Sequence, residues 1–412
     1  MRVLHLNSKD IHGGAGRATY RLHQTLQQKI ESTMLVREKH SEDTDVQQIG
    51  SILPTRVSKL RRAVDSLPVR RHFNRSQNSF SPCVVPDRVI ERIDDIDPDI
   101  VHLHWVGGGY MQIESIGEIQ RPTVWTLHDM WGFTGGCHYS GNCGKYENNC
   151  GSCPVLNSGT ETDLSRKVWK RKRDFWQKFD PKIVTPSKWL GDCAGSSSLF
   201  ENTDVRVIPN AVPTDRYHPE SRRRAKDILD INSDKYIFIY GAMDATDNPR
   251  KGYKYIQQMM ERIPRSYSDE IEFIVFGSSK DTVSKIHGIP VRHFEYIPEA
   301  NLPALYSVAD AMIVPSKQDN LPNTVLESLA CGTPCIAFDV GGIPDMIQHR
   351  ETGYLAEPYN PDGLVEGIEW IIAHDDSDSI LSRCRNTVLE NFSPEVVREQ
   401  YVELYSDVLQ QK

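Results

Sequence analysis

Short apolar segments recur along this chain of 412 residues and alternate with amphipathic stretches of helix length. These strand candidates lie at 1–6, 33–38, 99–105, 123–128, 182–186, 236–241, 272–277, 291–297, 311–316 and 334–338. Near-continuous apolar strands separated by helices are typical of parallel sheets covered on both faces. Because a chain of this length also exceeds one ordinary core, the pattern predicts an α/β protein with two doubly wound, Rossmann-like domains.

The domain boundary is expected near VIPNAVPTDRYHP, residues 207–219, where prolines punctuate a polar stretch after a strand. We therefore predict an N-terminal domain at 1–208 with a Cys-rich insertion at 137–153, a C-terminal domain at 209–392, and a last helix at 393–412 that packs back on the N-terminal domain. Ligands of such sheets bind beyond the carboxyl ends of the strands. With two such domains, the expected site is the cleft between them.

Charge is distributed unevenly between the two halves of the chain. Residues 1–210 contain 28 Lys+Arg against 24 Asp+Glu, whereas residues 211–412 contain 20 against 32. The first half is therefore the one expected to meet an anionic partner, but its surplus is too small for a nucleic-acid-binding domain. No apolar run approaches the roughly 18 residues of a membrane-spanning helix.

The start, MRVLHLNSKDIHGGAG, is typical of a strand and turn and not of a signal peptide. We therefore expect a cytoplasmic protein, in which the nine cysteines are thiols or metal ligands more readily than disulfides. Cys137, Cys143, Cys150 and Cys153 follow one another as C-x5-C-x6-C-x2-C. Four thiolates could complete one closed, structural zinc site. Reduced thiols and a disulfide remain open alternatives.

The first strand candidate runs into HGGAGRATY, where Gly13, Gly14 and Gly16 would let the backbone approach a ligand. The helix that follows would offer N–H groups to an anion, although a tight turn is the alternative interpretation. The spacing does not fit the dinucleotide fingerprint, which disfavours hydride transfer. Further on, TLHDMW places His128 at the end of a strand, where a structural role and contact with a substrate are both open.

Two segments are basic and partly amphipathic. Residues 54–75 contain seven Arg or Lys and apolar residues at helical spacing, and residues 165–179 interleave four aromatic side chains with seven cations. Solvated helix faces are one interpretation of both segments. The other is peripheral contact with anionic lipid, in which each basic residue near the surface contributes about 1 kcal/mol.

The segment QDNLPNTVLESLACGTP, residues 318–334, carries two acids eight positions apart, Asp319 and Glu327. Pro322 and Gly332 predict a helix of about three turns between them, so that Glu327 falls among apolar residues. In the same half, Arg250 and Lys251 follow a strand and precede a helix, where they could bind a phosphate.

Six segments together resemble family 4 glycosyltransferases, which are retaining enzymes of the two-domain GT-B fold. They are HGGAGRA, VWTLHDMW, PNAVPTDRY, RKG, LYSVADAMIVPS and DNLPNTVLESLACGTPCIAFDVGGIPD, and the likeness covers nearly the whole chain. The pairing of VWTLHDMWGFTGGC with the four cysteines is most similar to exopolysaccharide enzymes of the colanic-acid and lipopolysaccharide type. The resemblance implies an acceptor-side N-terminal domain and a nucleotide-sugar-binding C-terminal domain.

The resemblance also implies roles for individual residues. In this family a pair of acids binds the donor. The first acid contacts the transferred sugar, and the second hydrogen-bonds the ribose hydroxyls. These positions are Asp319, which is shorter than the family's Glu, and Glu327. Asn320 and Leu321 would line the sugar pocket, and His128 would lie at the reacting centre.

Lys251 takes the place of the family's diphosphate-binding lysine, and the glycine loop at 13–16 would approach the phosphates from the other domain. The family often has an Arg directly after the first strand of its second domain, where this chain has Ala242. Arg250 is the candidate substitute.

The resemblance therefore implies metal-independent transfer with retention, with no cofactor needed for catalysis. The donor is expected to be a UDP- or GDP-sugar and the acceptor a saccharide, lipid-linked at the inner face of the cytoplasmic membrane, in exopolysaccharide or lipopolysaccharide biosynthesis. A catalytically weak, nucleotide-sugar-binding scaffold is the alternative that Asp319 and Ala242 favour. An epimerase or a pyridoxal-phosphate phosphorylase of the same fold is a third possibility.

Overall fold

The computed structural model describes residues 1–50, 54–72, 79–201, 203–241, 246–277, 282–374 and 377–410, with the backbone alone at 54–59 and 377. These residues divide into two compact units. Unit 1 comprises Met1–Pro209 and Val397–Lys412, and unit 2 comprises Asn210–Val396. Each unit contains one seven-stranded sheet.

The sheet of unit 1 is parallel throughout. Its strands are β1 (Arg2–Lys9), β2 (Glu31–Glu38), β3 (Val46–Gln48), β4 (Ile100–Leu103), β5 (Thr123–Thr126), β6 (Lys182–Thr185) and β7 (Val205–Val207). They lie in the order β3-β2-β1-β4-β5-β6-β7. In this doubly wound order β1, β4 and β5 are neighbours, so the loops that follow them lie at one edge of the sheet.

Helices connect these strands and cover them. They are α1 (Gly13–Leu26), α2 (Pro54–Asp65), α3 (Leu67–Arg70), α4 (Val89–Ile96), α5 (Ile113–Gly117), α6 (Leu164–Phe175) and α7 (Lys188–Gly195). The four-residue strands β4 and β5 are buried along their whole length. Their apolar side chains join those of the helices in one core that includes Trp125 and Trp169.

Unit 2 repeats this architecture with one departure. Its strands are β8 (Tyr236–Gly241), β9 (Ile271–Phe276), β10 (Thr282–Ile286), β11 (Ile289–Phe294), β12 (Ala311–Val314), β13 (Cys335–Phe338) and β14 (Gly353–Ala356), in the order β10-β11-β9-β8-β12-β13-β14. All neighbours are parallel except β10 and β11, which form an antiparallel hairpin at one edge. Its helices are α8 (Arg222–Leu229), α9 (Tyr253–Met260), α10 (Arg265–Ser268), α11 (Leu302–Val308), α12 (Asn323–Ala330), α13 (Pro361–Ile372) and α14 (Ser377–Asn391).

The last helix, α15 (Pro394–Gln410), contributes its residues from Val397 onward to unit 1. There the hydroxyl of Tyr401 lies 2.9 Å from Oγ1 of Thr126 on β5, and the hydroxyl of Tyr405 lies 2.7 Å from Nδ1 of His102 on β4. Both tyrosines are buried. Two polar contacts inside an apolar interface therefore fix this helix against the sheet.

The predicted fold class is confirmed, since each unit is a doubly wound, Rossmann-like α/β structure. All ten strand candidates are strands. Four further strands, β3, β7, β10 and β14, were not predicted, and the antiparallel hairpin departs from the all-parallel expectation. β3 and β7 have three residues each and β10 is half-exposed, so they lack the continuous apolar run that identifies a buried strand. β14 is mostly buried, but its sequence GYLA contains no β-branched residue.

Candidate active site

In unit 2, the turn that carries the predicted phosphate-binding cations packs against the loop after β12. Arg250 and Lys251 lie in the short 3-10 helix Pro249–Lys251. Gly252 follows with a φ of 78°, and a Cβ at this position would overlap the carbonyl oxygen of Pro315, so the close approach requires glycine. The amide of Lys317 donates to the carbonyl of Arg250 at 2.8 Å. The turn and the loop therefore hold each other in place.

Asp319 lies at the centre of this packing and binds both cations. Its Oδ2 is 2.6 Å from Nζ of Lys251, and its Oδ1 is 3.0 Å from Nη1 of Arg250. The residue is only 5% exposed. Burial alone would raise the pKa of Asp319, but Arg250 and Lys251 hold it well below its usual range. The three groups therefore form a cluster with one surplus positive charge near neutral pH.

Glu327 lies on α12 and is 1% exposed. The hydroxyl of Tyr306, which is fully buried on α11, donates to Oε2 of Glu327 at 2.9 Å. Helix α12 has eight residues and about two turns, so the predicted three-turn helix was too long. Pro322 precedes its first turn without a side-chain cap, because proline offers no capping group.

Asn320 and Leu321 are both buried beside the acid, at 4% and 5% exposure. The amide of Asn320 donates to Oδ1 of Asp319 at 3.2 Å. The loop after β13 closes on the same segment, because the amide of Gly342 donates to the carbonyl of Asp319 at 3.0 Å. Asp319 is therefore enclosed by the loops that follow β12 and β13 and by the turn that carries Arg250.

In unit 1, the glycine loop opens α1. Gly13 and Gly14 have no atom within 4 Å of a Cβ built on them, whereas a Cβ on Gly16 would lie 2.8 Å from the carbonyl oxygen of Asp10. Gly16 is therefore needed for packing of the chain on itself. Gly13 and Gly14 leave open space at the helix N-terminus, where His12 provides no side-chain cap.

His128 follows β5 and is partly exposed. Its Nε2 lies 3.1 Å from Nδ1 of His104, and Nε2 of His104 lies 3.0 Å from Nδ1 of His5. His104 and His5 are buried. Burial lowers the pKa of His128 to about 4, against the opposing effect of Asp129. His128 is therefore a neutral imidazole at physiological pH.

Asp129, the residue after His128, contacts the cysteine-rich segment. Oδ2 of Asp129 lies 2.9 Å from Nδ1 of His138 and accepts a hydrogen bond from Nε1 of Trp105 at 3.0 Å. Lys172 on α6 is fully buried, stacks 3.8 Å from the ring centre of Trp131 and donates to the carbonyl of Trp131. Burial lowers the pKa of Lys172 to about 7. The turn that follows His128 is thus held from two sides.

Cys137, Cys143, Cys150 and Cys153 line one small cavity of about 20 Å³ and are all thiols. Among the residues that the structure describes, one group of three potential metal ligands has its ligand atoms within 4.8 Å of one another, namely His5, His102 and His104. No three of the four cysteine sulfur atoms, all of which the structure describes, lie within that distance of one another. Hydroxyl groups of Tyr405 and Thr126 already contact both ring nitrogens of His102.

The two basic segments differ in their surroundings. On α2 and α3, Leu60, Val64 and Leu67 are 63%, 41% and 51% exposed and Arg70 is also exposed. On and after α6, by contrast, Trp169, Lys172 and Trp176 are buried in the core, and Phe175 is the one exposed aromatic side chain of this segment. The expected aromatic surface at 165–179 is therefore mostly interior, because these rings face the sheet.

The structure brings Arg250, Lys251, Asp319, Asn320 and Leu321 together in unit 2, and Glu327 lies on the adjoining helix. Sequence reasoning missed Tyr306 and the histidines behind His128. The histidines left a signal, since HLH in the third strand candidate and His5 in the first place imidazoles in apolar strands. Ala242 lies outside the residues that the structure describes.

Two family profiles match the chain. The profile for Glycosyltransferase Family 4 matches residues 12–216, and that for glycosyl transferases group 1 matches residues 221–385. Together they cover most of both units. In the part of the chain that the structure describes, no helix has the length and apolar character needed to cross a membrane.

Among curated proteins, N-acetyl-alpha-D-glucosaminyl L-malate synthase of Bacillus anthracis is 26% identical over half of this chain, and the match spans 55% of that protein. The putative colanic acid biosynthesis glycosyl transferase WcaC of Escherichia coli K12 is 22% identical over 99% of this chain and 100% of its own length.

Solved structures share the fold. Sucrose-phosphate synthase of Thermosynechococcus elongatus superposes with a TM-score of 0.70 at 17% identity and covers the whole of both chains. HepE of Anabaena, solved in complex with UDP-glucose, superposes with a TM-score of 0.62 at 13% identity over 99% of this chain and 100% of its own.

Proposed function

Because the chain belongs to glycosyltransferase family 4, we propose that it transfers a sugar from a nucleotide-sugar donor to a saccharide acceptor, with retention of the anomeric configuration and without a metal ion. One observation carries the proposal. Arg250 and Lys251, which are adjacent in sequence, converge on the buried Asp319 at the strand ends of unit 2. A pair of cations beside an acid is suited to hold a diphosphate and a sugar hydroxyl together.

The donor would bind with its diphosphate on these cations. Arg250 could stand in for the arginine that the family often has at position 242, because its guanidinium reaches the same carboxylate as Lys251. Glu327 would accept hydrogen bonds from the two ribose hydroxyls, and Tyr306 would fix the carboxylate through its hydrogen bond to Oε2. The donor nucleoside is expected to be uridine or guanosine.

The same geometry supports the proposal that no metal ion is needed. When the glycosidic bond to the diphosphate breaks, negative charge grows on the leaving phosphate oxygens. Two fixed cations stabilise that charge without rearranging, which is the role that a divalent ion has in other transferases. In unit 1, the space around the Cβ positions of Gly13 and Gly14 at the start of α1 supports the expectation that a phosphate can approach this helix N-terminus.

The acceptor is proposed to be lipid-linked. Leu60, Val64 and Leu67 form an exposed apolar stripe at helical spacing on α2 and α3, beside the exposed Arg62 and Arg70. An apolar stripe flanked by cations is suited to the interface of an anionic membrane. The colanic acid assignment of WcaC supports a role in exopolysaccharide or lipopolysaccharide biosynthesis.

Turnover tests the proposal directly. The protein is incubated with UDP- or GDP-sugars and a bacterial lipid extract in EDTA, and released nucleoside diphosphate and glycolipid are measured. One donor should be consumed with product of unchanged anomeric configuration, and Lys251→Ala should lower turnover at least 100-fold. Lys254→Ala is the matched control, since this exposed lysine lies three positions on, over the ring of Tyr255. An inverted product, or full activity in Lys251→Ala, would refute the mechanism.

A catalytically weak, nucleotide-sugar-binding scaffold is the alternative function, because Asp319 neutralises one of the two cations. It predicts binding of a nucleotide sugar with no consumption under any condition of the assay. Conversion of the donor without an acceptor would instead indicate an epimerase.

Membrane contact has its own test. Binding to phosphatidylglycerol vesicles and to phosphatidylcholine vesicles is measured for the wild type and for the triple variant Arg62→Glu, Arg70→Glu, Arg71→Glu. At low salt the variant should bind phosphatidylglycerol vesicles at least tenfold more weakly than the wild type. The control changes Lys167, Lys170 and Arg173 on α6 to Glu, which alters the same amount of exposed charge at the other basic segment. Equal losses in both variants would show a general charge effect and remove α2 and α3 from the role.

A further inference from the structure

His128 is the outer member of a row of three imidazoles that runs across three neighbouring strands, from the middle of β1 to the carboxyl ends of β4 and β5. His5 lies on β1, His104 follows β4 and His128 follows β5. The rings of His5 and His104 stack at 5.3 Å between centres and 29°, and those of His104 and His128 at 5.3 Å and 27°. Hydrogen bonds of 3.0 Å and 3.1 Å connect their nitrogens in sequence.

The row limits where the protons can lie. A neutral imidazole has one N–H and one lone pair, so a row of hydrogen bonds between imidazoles must run in a single direction. Nε2 of His5 is buried and has no partner among the residues that the structure describes. A buried N–H without an acceptor is the rarer and costlier arrangement, which favours a proton on Nδ1 of His5 and a bare Nε2.

The direction then follows along the whole row. Nδ1–H of His5 donates to Nε2 of His104, and Nδ1–H of His104 donates to Nε2 of His128. His128 must accept at Nε2 and therefore carries its own proton on Nδ1, the ring nitrogen that His104 does not use.

We propose that His104, oriented by His5, is a positioning residue for glycosyl transfer that holds His128 in one ring orientation as the neutral Nδ1–H tautomer. This inference rests on the proposed function. A neutral Nδ1–H can donate to a sugar hydroxyl. During transfer with retention, positive charge develops at the anomeric carbon, and a neutral histidine adds no charge that would oppose it.

Burial and charge agree with this assignment. Burial, together with the neighbouring imidazoles, lowers the pKa of His104 and His5 well below the ordinary value. Protonation of any member would place a cation among buried rings at hydrogen-bond distance. His102 packs against the row, 4.0 Å from the ring centre of His104, but its own nitrogens contact Tyr405 and Thr126. It supports the row and does not extend it.

The unaltered protein provides the first test. It is labelled with ¹⁵N at histidine, and long-range ¹H–¹⁵N correlations are recorded between pH 7.5 and 5.5, with His128→Gln used for assignment. His128 should show the Nδ1–H tautomer and stay neutral down to pH 5.5. An Nε2–H tautomer, or titration of His128 near pH 6.5, would overturn the proposal. No donor is needed, so this result stands apart from failure to detect transferase activity.

The second test removes the contact. His104→Phe keeps a ring but no nitrogen, and His104→Gln is the milder variant if the first fails to fold. Turnover should fall about 30-fold with donor affinity within threefold of the wild type, and His128 should lose its single tautomer. The control is Tyr110→Phe, which removes another buried polar group of unit 1, the hydroxyl that donates to the carbonyl of Leu35 at 2.6 Å. Unchanged turnover in both His104 variants, or equal loss in the Tyr110 control at similar thermal stability, would contradict the proposal.

Discussion

The ammonium group of Lys251 lies 2.6 Å from Oδ2 of Asp319, although 68 positions separate the two residues in the sequence. The contact forms because β8 and β12 are neighbours in the sheet, so that the loops after them meet. Arg250 completes the cluster from the other carboxylate oxygen. The acid therefore sets how much positive charge a diphosphate would meet.

Asp319→Asn should separate the two roles of this acid. Without the carboxylate, the two cations keep their full charge, so we expect a nucleoside diphosphate without sugar to bind about tenfold more tightly, which is about 1.4 kcal/mol. Turnover should fall at least 100-fold because the sugar hydroxyls would meet one neutral amide oxygen in place of two charged carboxylate oxygens. The unliganded protein should lose about 2–4 kcal/mol of unfolding free energy, since breaking a buried pair leaves cations unpaired. Calorimetric titration and urea denaturation measure these quantities, with Asp319→Glu as the charge-preserving control. Unchanged diphosphate affinity would show that the acid does not balance the cations.

Gly14→Ala and Gly16→Ala form a matched pair within one helix turn. Gly16→Ala places a methyl group 2.8 Å from the carbonyl oxygen of Asp10, and a backbone atom can move little, so stability should fall by about 1–3 kcal/mol. Gly14→Ala meets no atom within 4 Å and should leave stability unchanged or slightly higher while weakening donor binding. Thermal unfolding and donor titration distinguish the two. A stable Gly16→Ala protein, or full donor affinity in Gly14→Ala, would contradict these roles.

The buried histidines predict an unusual sensitivity to acid. Burial lowers the pKa of His128 to about 4 and those of His5, His102 and His104 well below the ordinary value of 6.5. Below pH 6.5 the unfolded chain therefore binds more protons than the folded chain, and stability falls as the pH drops from 6.5 towards 4.

The slope measures how many imidazoles contribute. We expect it to exceed the roughly 1.4 kcal/mol per pH unit of a single proton, and His104→Gln should make it shallower by about one proton. Urea denaturation at constant ionic strength from pH 7.5 to 4.5 provides the slopes. Identical slopes in the two proteins would mean that His104 titrates normally in the folded state.

The four-cysteine segment remains predicted to hold one structural zinc ion, because its thiols line a single small cavity. Elemental analysis should find about one zinc per chain in protein purified without chelator. Cys150→Ser should remove the metal, whereas Cys384→Ser, a buried thiol of unit 2, should retain it. Loss of the metal should also lower thermal stability, since His138 in this segment contacts Asp129. Metal-free protein of unchanged stability would leave reduced thiols as the interpretation.

The sequence was sufficient for the central strands of both sheets because these are buried on both faces and therefore read as continuous apolar runs. It was insufficient for β10, which is half-exposed along its length and is identified only by its pairing with β11. The glycines, the two cations and the two acids stood out by residue type and spacing. The sequence did not reveal that these residues converge, because the order of the strands in the sheet decides which strand ends are neighbours.

Tyr306 shows the limit most clearly. In the sequence it is one aromatic residue in an apolar helix, and only the packing of α11 on α12 brings its hydroxyl 2.9 Å from Glu327. The residues that orient a site act through tertiary contacts, so composition and spacing do not identify them.

The most direct test of the central claim is a thermal-shift measurement across UDP-, GDP-, ADP- and CMP-sugars, in EDTA and then with magnesium. At about 100 times its dissociation constant, the true donor should stabilise the protein by about 2.7 kcal/mol, with no need for the metal. The shift should disappear in Glu327→Ala and persist in Glu366→Ala, an exposed acid that accepts a hydrogen bond from Tyr354 at 2.8 Å. Folded protein that responds to none of these donors, or a shift that survives Glu327→Ala, would contradict the assignment of this site to a nucleotide sugar.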